Sequence, residues 1–161
     1  MSPSNSSKVS LQEITKETFF GICQLSVSPE QKLCMDTVAE SLAEANFYDT
    51  AWFRAIYADA IPVGFVMLDD RPSESKYYLW RFMIDAQYQG LGFGRKAMEL
   101  IIEHVKTRPN ATELLTSVMQ IEGGPQGFYE RLGFKLTGEY ADRSDCLNQN
   151  PEAFMRLALE P

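Results

Sequence analysis

The hydrophobic pattern changes period within one short stretch, Tyr77 to Leu100 (YYLWRFMIDAQYQGLGFGRKAMEL). Tyr78 to Ile84 is apolar and aromatic, the composition of a buried strand, whereas Ala97, Met98, Ile101, Ile102 and Val105 recur at helical spacing. The pattern predicts a strand running into a helix that ends near Thr107, before Arg108-Pro109-Asn110. Upstream, Met1 to Lys8 is serine-rich and reads as a loose terminus. Val9, Leu11 and Ile14 alternate as in a short strand, and Thr15-x-x-Thr18 opens a short helix that ends before Ser28-Pro29. Met35, Val38, Leu42 and Ala45 form the buried stripe expected of a second helix over Glu30 to Ala45. Ala51 to Ala58 and Val63 to Leu68 read as antiparallel strands joined by a turn at Asp59 to Pro62, and Asp69 to Lys76 as a polar loop. Downstream, Thr112 to Met119 is a strand suited to burial on both faces. A short helix at Phe128 to Leu132 and strands at Phe134 to Glu139 and Ala153 to Leu159 complete the pattern, with a polar loop from Tyr140 to Pro151.

Composition bounds the class. A chain of 161 residues, 45% hydrophobic, fits a single domain over 1–161 with an adequate core. No apolar run approaches the ~20 residues of a membrane span, and the serine-rich start lacks the apolar segment of a signal peptide, so a cytoplasmic protein is expected. Cys23, Cys34 and Cys146 form no CxxC pair and leave an odd count, which argues against a disulfide framework or a zinc site. No metal is expected. A formal charge of -7 disfavours nucleic acid as a partner and is compatible with a cationic substrate.

At the joint between strand and helix, Gln89-Gly90-Leu91-Gly92-Phe93-Gly94 places glycines at alternate positions where helix-start amides are free. Those amides and the helix dipole favour an anion, and Arg95 and Lys96 add positive charge. The turn lacks the Gly-Lys-Ser/Thr ending of a P-loop, and it has Arg95 where the dinucleotide fingerprint needs its third glycine. It does resemble the Gln/Arg-x-x-Gly-x-Gly/Ala signature of the GCN5-related N-acetyltransferases (GNAT), read as Gln89, Gly92 and Gly94. Gly127-Phe128-Tyr129-Glu130-Arg131-Leu132-Gly133-Phe134 resembles that superfamily's later motif, about 35 residues on. The resemblance runs from about Thr50 to the end. It implies an α+β fold, a mixed and mostly antiparallel sheet of about seven strands with helices on both faces.

The resemblance also implies acetyl-CoA as co-substrate. The amides of Gln89, Gly90, Leu91, Gly92, Phe93, Gly94 and Arg95 would grip the pyrophosphate, with Glu122 and Phe128 flanking the cofactor. The peptide-like pantetheine would pair with the main chain of Phe82, Met83 and Ile84. The Phe82 amide would contact the thioester oxygen, a type of donor whose loss costs ~3 kcal/mol elsewhere. Tyr129 falls on the position of the tyrosine that protonates the departing thiolate; residue chemistry alone favours a core aromatic, and the two motifs in register favour the catalytic role.

The acceptor is less defined. Asp36, Glu40 and Glu44 fall at i, i+4 and i+8 of the expected second helix, either a surface that gathers a diamine or polyamine or a solvated face. Where related polyamine acetyltransferases carry an acid on the central strand, this chain has Trp80, so the general base is open between water and Glu122. His104, the sole histidine, reads as structural. The resemblance admits a homodimer. The leading expectation is acetyl transfer to a small cationic amine by direct attack; protein lysine or N-terminal acetylation, and a non-catalytic acyl-CoA-binding module, are the alternatives.

Overall fold

The structure is a computed structural model that describes residues 2–34, 36–144 and 150–160. Among the described residues, seven strands form one sheet in the order β1-β2-β3-β4-β5-β7-β6. These are β1 (Val9–Gln12), β2 (Ala51–Ala58), β3 (Ile61–Arg71), β4 (Lys76–Ile84), β5 (Glu113–Met119), β6 (Lys135–Tyr140) and β7 (Glu152–Ala158). Only the β4–β5 pair is parallel; the others are antiparallel. Four α-helices, α1 (Phe19–Cys23), α2 (Val38–Ala45), α3 (Phe93–Lys106) and α4 (Gln126–Arg131), accompany the described strands. The α+β fold with a mixed, mostly antiparallel sheet is the one expected.

The sheet separates two cores. On one face α3 lays Ala97, Met98, Ile101 and Val105 against Val66, Leu68, Leu79 and Leu114; on the other, Ile22 of α1 and Val38 of α2 cover Phe65, Met67 and Met83. Successive β3 residues thus feed opposite cores, which is why Val63 to Leu68 is buried on both faces and carries no polar alternation. β3 is longer than its apolar segment. Asp69 to Arg71, expected as loop, continue the strand against Tyr78 to Lys76, and a short turn at Pro72–Glu74 closes the hairpin with Ser75 at positive φ.

Two further local expectations are corrected, and one strand is irregular. The second helix does not run from Glu30 to Ala45: a 3-10 turn covers Gln31–Cys34, and α2 starts only after Thr37. Thr37 and Glu40 form a reciprocal capping box, with the Glu40 amide donating to Thr37 Oγ1 at 3.1 Å. A backbone committed to that cap cannot continue helically through Asp36, so Asp36, Glu40 and Glu44 do not form one helical line. Met35, assigned to the stripe, lies outside the described residues. The serine-rich start is also tied down: Ser7 is buried, and Lys96 Nζ donates to the carbonyls of Asn5 and Ser7 at 2.6 and 3.4 Å. Finally, β4 is bulged. Arg81 pairs with Met67 and Leu79 with Leu68, leaving Trp80 as the extra residue. The bulge shifts the side-chain alternation, so Leu79 and Phe82, three apart, both pack on the α3 side, while Trp80 packs with the α1/α2 cluster.

No helix among the described residues is long and apolar enough to cross a membrane, and none of their His, Cys, Asp and Glu side chains cluster as a metal site. Cys23 is a free, half-buried thiol; the side chain of Cys34 and all of Cys146 lie outside the described residues.

Candidate active site

The site begins with a failure of strand pairing. β4 and β5 are held together only at Tyr78↔Leu115 and Leu79↔Thr116, after which they diverge, so Trp80 to Ile84 has no ladder to β5. Main-chain groups left open in this way need another partner. The opening is a cleft of about 930 Å³. Phe82, Met83 and Ile84, the glycine turn, Glu122 and Phe128 line it, with the Phe128 ring stacked on Phe82 at 5.8 Å.

The turn is shaped for close approach. Gly92 is the N-cap of α3 at φ 83°, a conformation that costs any residue with a Cβ, and a Cβ built there would meet nothing within 4 Å. The space over the turn is therefore open. The first intrahelical bond is Lys96 N–H to the Gly92 carbonyl at 3.2 Å, so the amides of Phe93, Gly94 and Arg95 precede any intrahelical acceptor. At Gly94 the reason for glycine differs: a Cβ would lie 3.2 Å from the Phe128 ring. Gln89 holds the turn from below, its Nε2 donating to the Ile84 carbonyl at 2.9 Å and to Gln31 Oε1 at 2.9 Å. Asp85 fixes the strand end, accepting from the amides of Gln87 and Ser26 at 3.0 and 2.9 Å. Leu91 turns away and packs against the α3-side core. Arg95 is largely exposed beside the turn, 3.4 Å from Glu99.

Open donors at a helix start, a positive-φ turn with free space above it and unpaired strand backbone suit a ligand with a phosphate end and a peptide-like arm. The coenzyme expected from the sequence has that chemistry, and the residues present fit it.

Tyr129 lies under the opening. α4 places it between Phe128 and Phe134, with ring centroids 5.2 and 5.3 Å away in edge-to-face contact. Burial pushes its phenol well above the ordinary value, while contact with the Thr116 hydroxyl pulls the other way. The phenol thus keeps its proton throughout the physiological range. Thr116 in turn donates to the Leu79 carbonyl at 3.2 Å, at the last pair before the strands part.

The opposite mouth of the cleft carries charge in an arrangement that the sequence did not indicate. Arg81, with its side chain only 14% exposed, donates from Nη2 to Asp36 and to Glu44, the latter at 3.1 Å. Arg81 Nε is buried without a hydrogen-bond partner. Two of the three acids singled out in the sequence are therefore drawn together by one guanidinium, and Glu40 is engaged in the helix cap. Asp36 and Trp80 line the cleft; Glu40 and Glu44 do not. Trp80 stands edge-on to Tyr48, centroids 5.3 Å apart, with the Arg81 guanidinium 5.5 Å from its ring. Tyr78, Ser117, Arg143 and Glu152, which sequence reasoning did not assign, also line the cleft. His104 does not. It stacks on Trp52 at 4.1 Å with Nε2 buried and unpartnered, away from the opening, as its structural reading implies.

Known proteins resemble this chain in sequence and in fold. Residues 9–134 match the Acetyltransferase (GNAT) family. A spermine/spermidine N(1)-acetyltransferase of Bacillus subtilis (strain 168) is 26% identical over 144 residues, covering 81% of this chain and 90% of that protein. The peptidyl-lysine N-acetyltransferase YjaB of Escherichia coli (strain K12) is 34% identical over 102 residues, covering 63% of this chain and 61% of that protein. Among solved structures, the spermidine N-acetyltransferase from Vibrio cholerae in complex with CoA and spermine superposes with a TM-score of 0.72 at 16% identity, over 94% of this chain and 95% of that one.

Proposed function

The chain belongs to the GNAT acetyltransferase family and is an acetyl-CoA-dependent N-acetyltransferase; from that premise we propose that its acceptor is the primary amine of a small cation of the diamine or polyamine type. One observation carries the mechanism: a buried Tyr129 in contact with Thr116, at the last pair before β4 and β5 part, where burial raises the phenol above its ordinary value. The spermine/spermidine N(1)-acetyltransferase relative, matched over 81% of this chain, and the Asp36 and Glu44 carboxylates gathered on Arg81, with Asp36 in the cleft wall, support the choice of amine.

Acetyl-CoA, when bound, supplies the thioester carbonyl and the thiolate leaving group. The chain's own groups then divide the work. The α3-start amides and Gly92 hold the phosphate end, and the main chain of Phe82 to Ile84 orients the pantetheine arm. The Phe82 amide is the donor aimed at the developing oxyanion. Tyr129 gives its proton to the departing sulfur, and Thr116 holds the phenol in place. At pH 7 a primary amine of pKa ~10.4 must first be deprotonated, which costs about 4.6 kcal/mol by any route. The site has to provide a path for that proton.

The likeness to a peptidyl-lysine acetyltransferase supports one second reading, in which the acceptor is a lysine side chain. Thiol release from acetyl-CoA with putrescine, spermidine, spermine, small monoamines and a lysine peptide decides between them. Turnover concentrated on the polyamines is expected; turnover confined to the peptide replaces the small-amine reading. No turnover with any amine, while coenzyme A still raises the Tm, would recast the protein as a non-catalytic acyl-CoA-binding module.

A further inference from the structure

β5 places consecutive side chains on opposite faces of the sheet. Thr116 meets Tyr129 on the α3 and α4 side; Ser117 meets Tyr78 on the other, with Tyr78 Oη and Ser117 Oγ 2.5 Å apart. Ser117 Oγ donates to Glu152 Oε1 at 2.6 Å, and Arg143 Nη1 donates to Glu152 Oε2 at 2.5 Å. The chain has one sense. An ionised carboxylate only accepts, so Ser117 spends its proton on Glu152 and accepts from Tyr78. Tyr78 Oη is left with lone pairs and no proton to hold elsewhere. All of these residues line the cleft, and the Glu152 side chain retains 26% exposure to solvent.

We infer that Tyr78, Ser117 and Glu152 are the path by which the acceptor ammonium loses its proton before attack, with Tyr78 as the group at the amine. This rests on the acetyl-transfer reading above. One N–H bond of R–NH3+ breaks and its electron pair stays on nitrogen. The proton goes to Tyr78 Oη as the Tyr78 proton passes to Ser117 Oγ and the Ser117 proton to Glu152 Oε1. Both hydroxyls end as they began, one O–H bond has formed on Glu152, and ammonium plus carboxylate have become neutral amine plus carboxylic acid. Glu152 releases that proton to water from its exposed side. Acid and base then sit on opposite faces of the sheet, in contact with the neighbouring β5 residues Thr116 and Ser117, so the proton leaving the amine and the proton given to sulfur do not share a path.

The groups facing this path are mixed in sign. Arg81 of β4 and Asp69 of β3 act on Tyr78 with opposite signs, and Arg143 pairs with Glu152. Burial raises the Tyr78 phenol above its ordinary value, so it enters each cycle protonated.

The test is kcat and KM for spermidine at pH 7 and pH 9.5 in wild type, Glu152→Gln and Ser117→Ala, with acetyl-CoA saturating. At pH 9.5 about a tenth of a primary amine is already neutral, against ~0.04% at pH 7, so the path matters less. Both variants should lose roughly 100-fold or more in kcat at pH 7, as for removal of general base assistance, and recover to within about threefold at pH 9.5. Ser117→Ala deletes one hydroxyl, so it reports even if Glu152→Gln disturbs β7. An equal loss at both pH values, a change confined to KM, or no change would each overturn the inference; a KM effect would make Glu152 an anchor for the cation. Wild type that turns over no amine at all defeats the acceptor reading and this one with it, whereas active wild type with unaffected variants defeats this one alone.

Discussion

Arg81 reverses the simplest expectation about the acidic residues. Asp36 and Glu44 around one guanidinium leave one net negative charge, and Arg81→Met leaves two. One more unit charge at about 6 Å from a substrate ammonium in water-like surroundings is worth about 0.7 kcal/mol, roughly threefold in affinity. The stability cost is small. Both carboxylates are more than a third exposed, at 54% and 39%, which puts these pairs in the range of about 0–1 kcal/mol typical of surface ion pairs. Methionine also keeps an apolar stem beside Trp80 and relieves the unpartnered Nε. The expected outcome is a KM for spermidine about threefold lower than wild type at low ionic strength, a smaller change for a monoamine, and convergence of the two proteins near 0.5 M salt, where the Debye length falls to about 4 Å. The assay is thiol release at fixed saturating acetyl-CoA. A rise in KM for spermidine, or a fall that is the same for the monoamine and survives high salt, would refute the charge arithmetic.

Other predictions concern the turn and the far face. Gly92→Ala places a Cβ in the left-handed region, at about 1–2 kcal/mol, and should lower the Tm by roughly 2–8 °C; it should also weaken the thermal protection given by coenzyme A, because the new methyl enters the open space over the amides. Unchanged protection would remove the turn from the phosphate site. His104 has its pKa lowered by burial and then by Arg108, with Arg54 acting the same way and Asp70 opposing. Its neutral form is therefore favoured in the fold, so it adds stability above the unfolded value near 6.5 that is lost as pH falls. Wild type should lose more Tm between pH 7.5 and 5.5 than His104→Phe, which keeps the stack on Trp52; equal losses would place the acid sensitivity elsewhere.

What could be read from the residues was local chemistry. The glycine turn at Gln89 to Gly94 and the Gly127 to Phe134 block declare themselves because their backbone demands are written in adjacent positions. The same kind of local signal stands at Thr37-x-x-Glu40, where the capping box outweighs the apolar stripe of Met35, Val38, Leu42 and Ala45 and starts the helix after Thr37. The Trp80 bulge was not legible, since it depends on the register of β4 against β3. Nor was the Tyr78, Ser117 and Glu152 chain. Its members are separated by 39 and 35 residues and meet only because β5 lies between β4 and β7. The partner of Asp36 and Glu44 was likewise invisible: Arg81 is 45 and 37 residues away, on a strand read for its apolar positions.

The central claim is that Tyr129 acts as the acid in acetyl transfer, and Tyr129→Phe tests it most directly. Phenylalanine keeps the ring contacts with Phe128 and Phe134 and removes one hydroxyl, and Thr116 retains its bond to Leu79, so the stability cost should be only about 1 kcal/mol. With coenzyme binding followed separately by thermal shift, the account predicts a fall in kcat of roughly 100-fold or more at unchanged coenzyme affinity. A variant that binds coenzyme normally and turns over within threefold of wild type would contradict it.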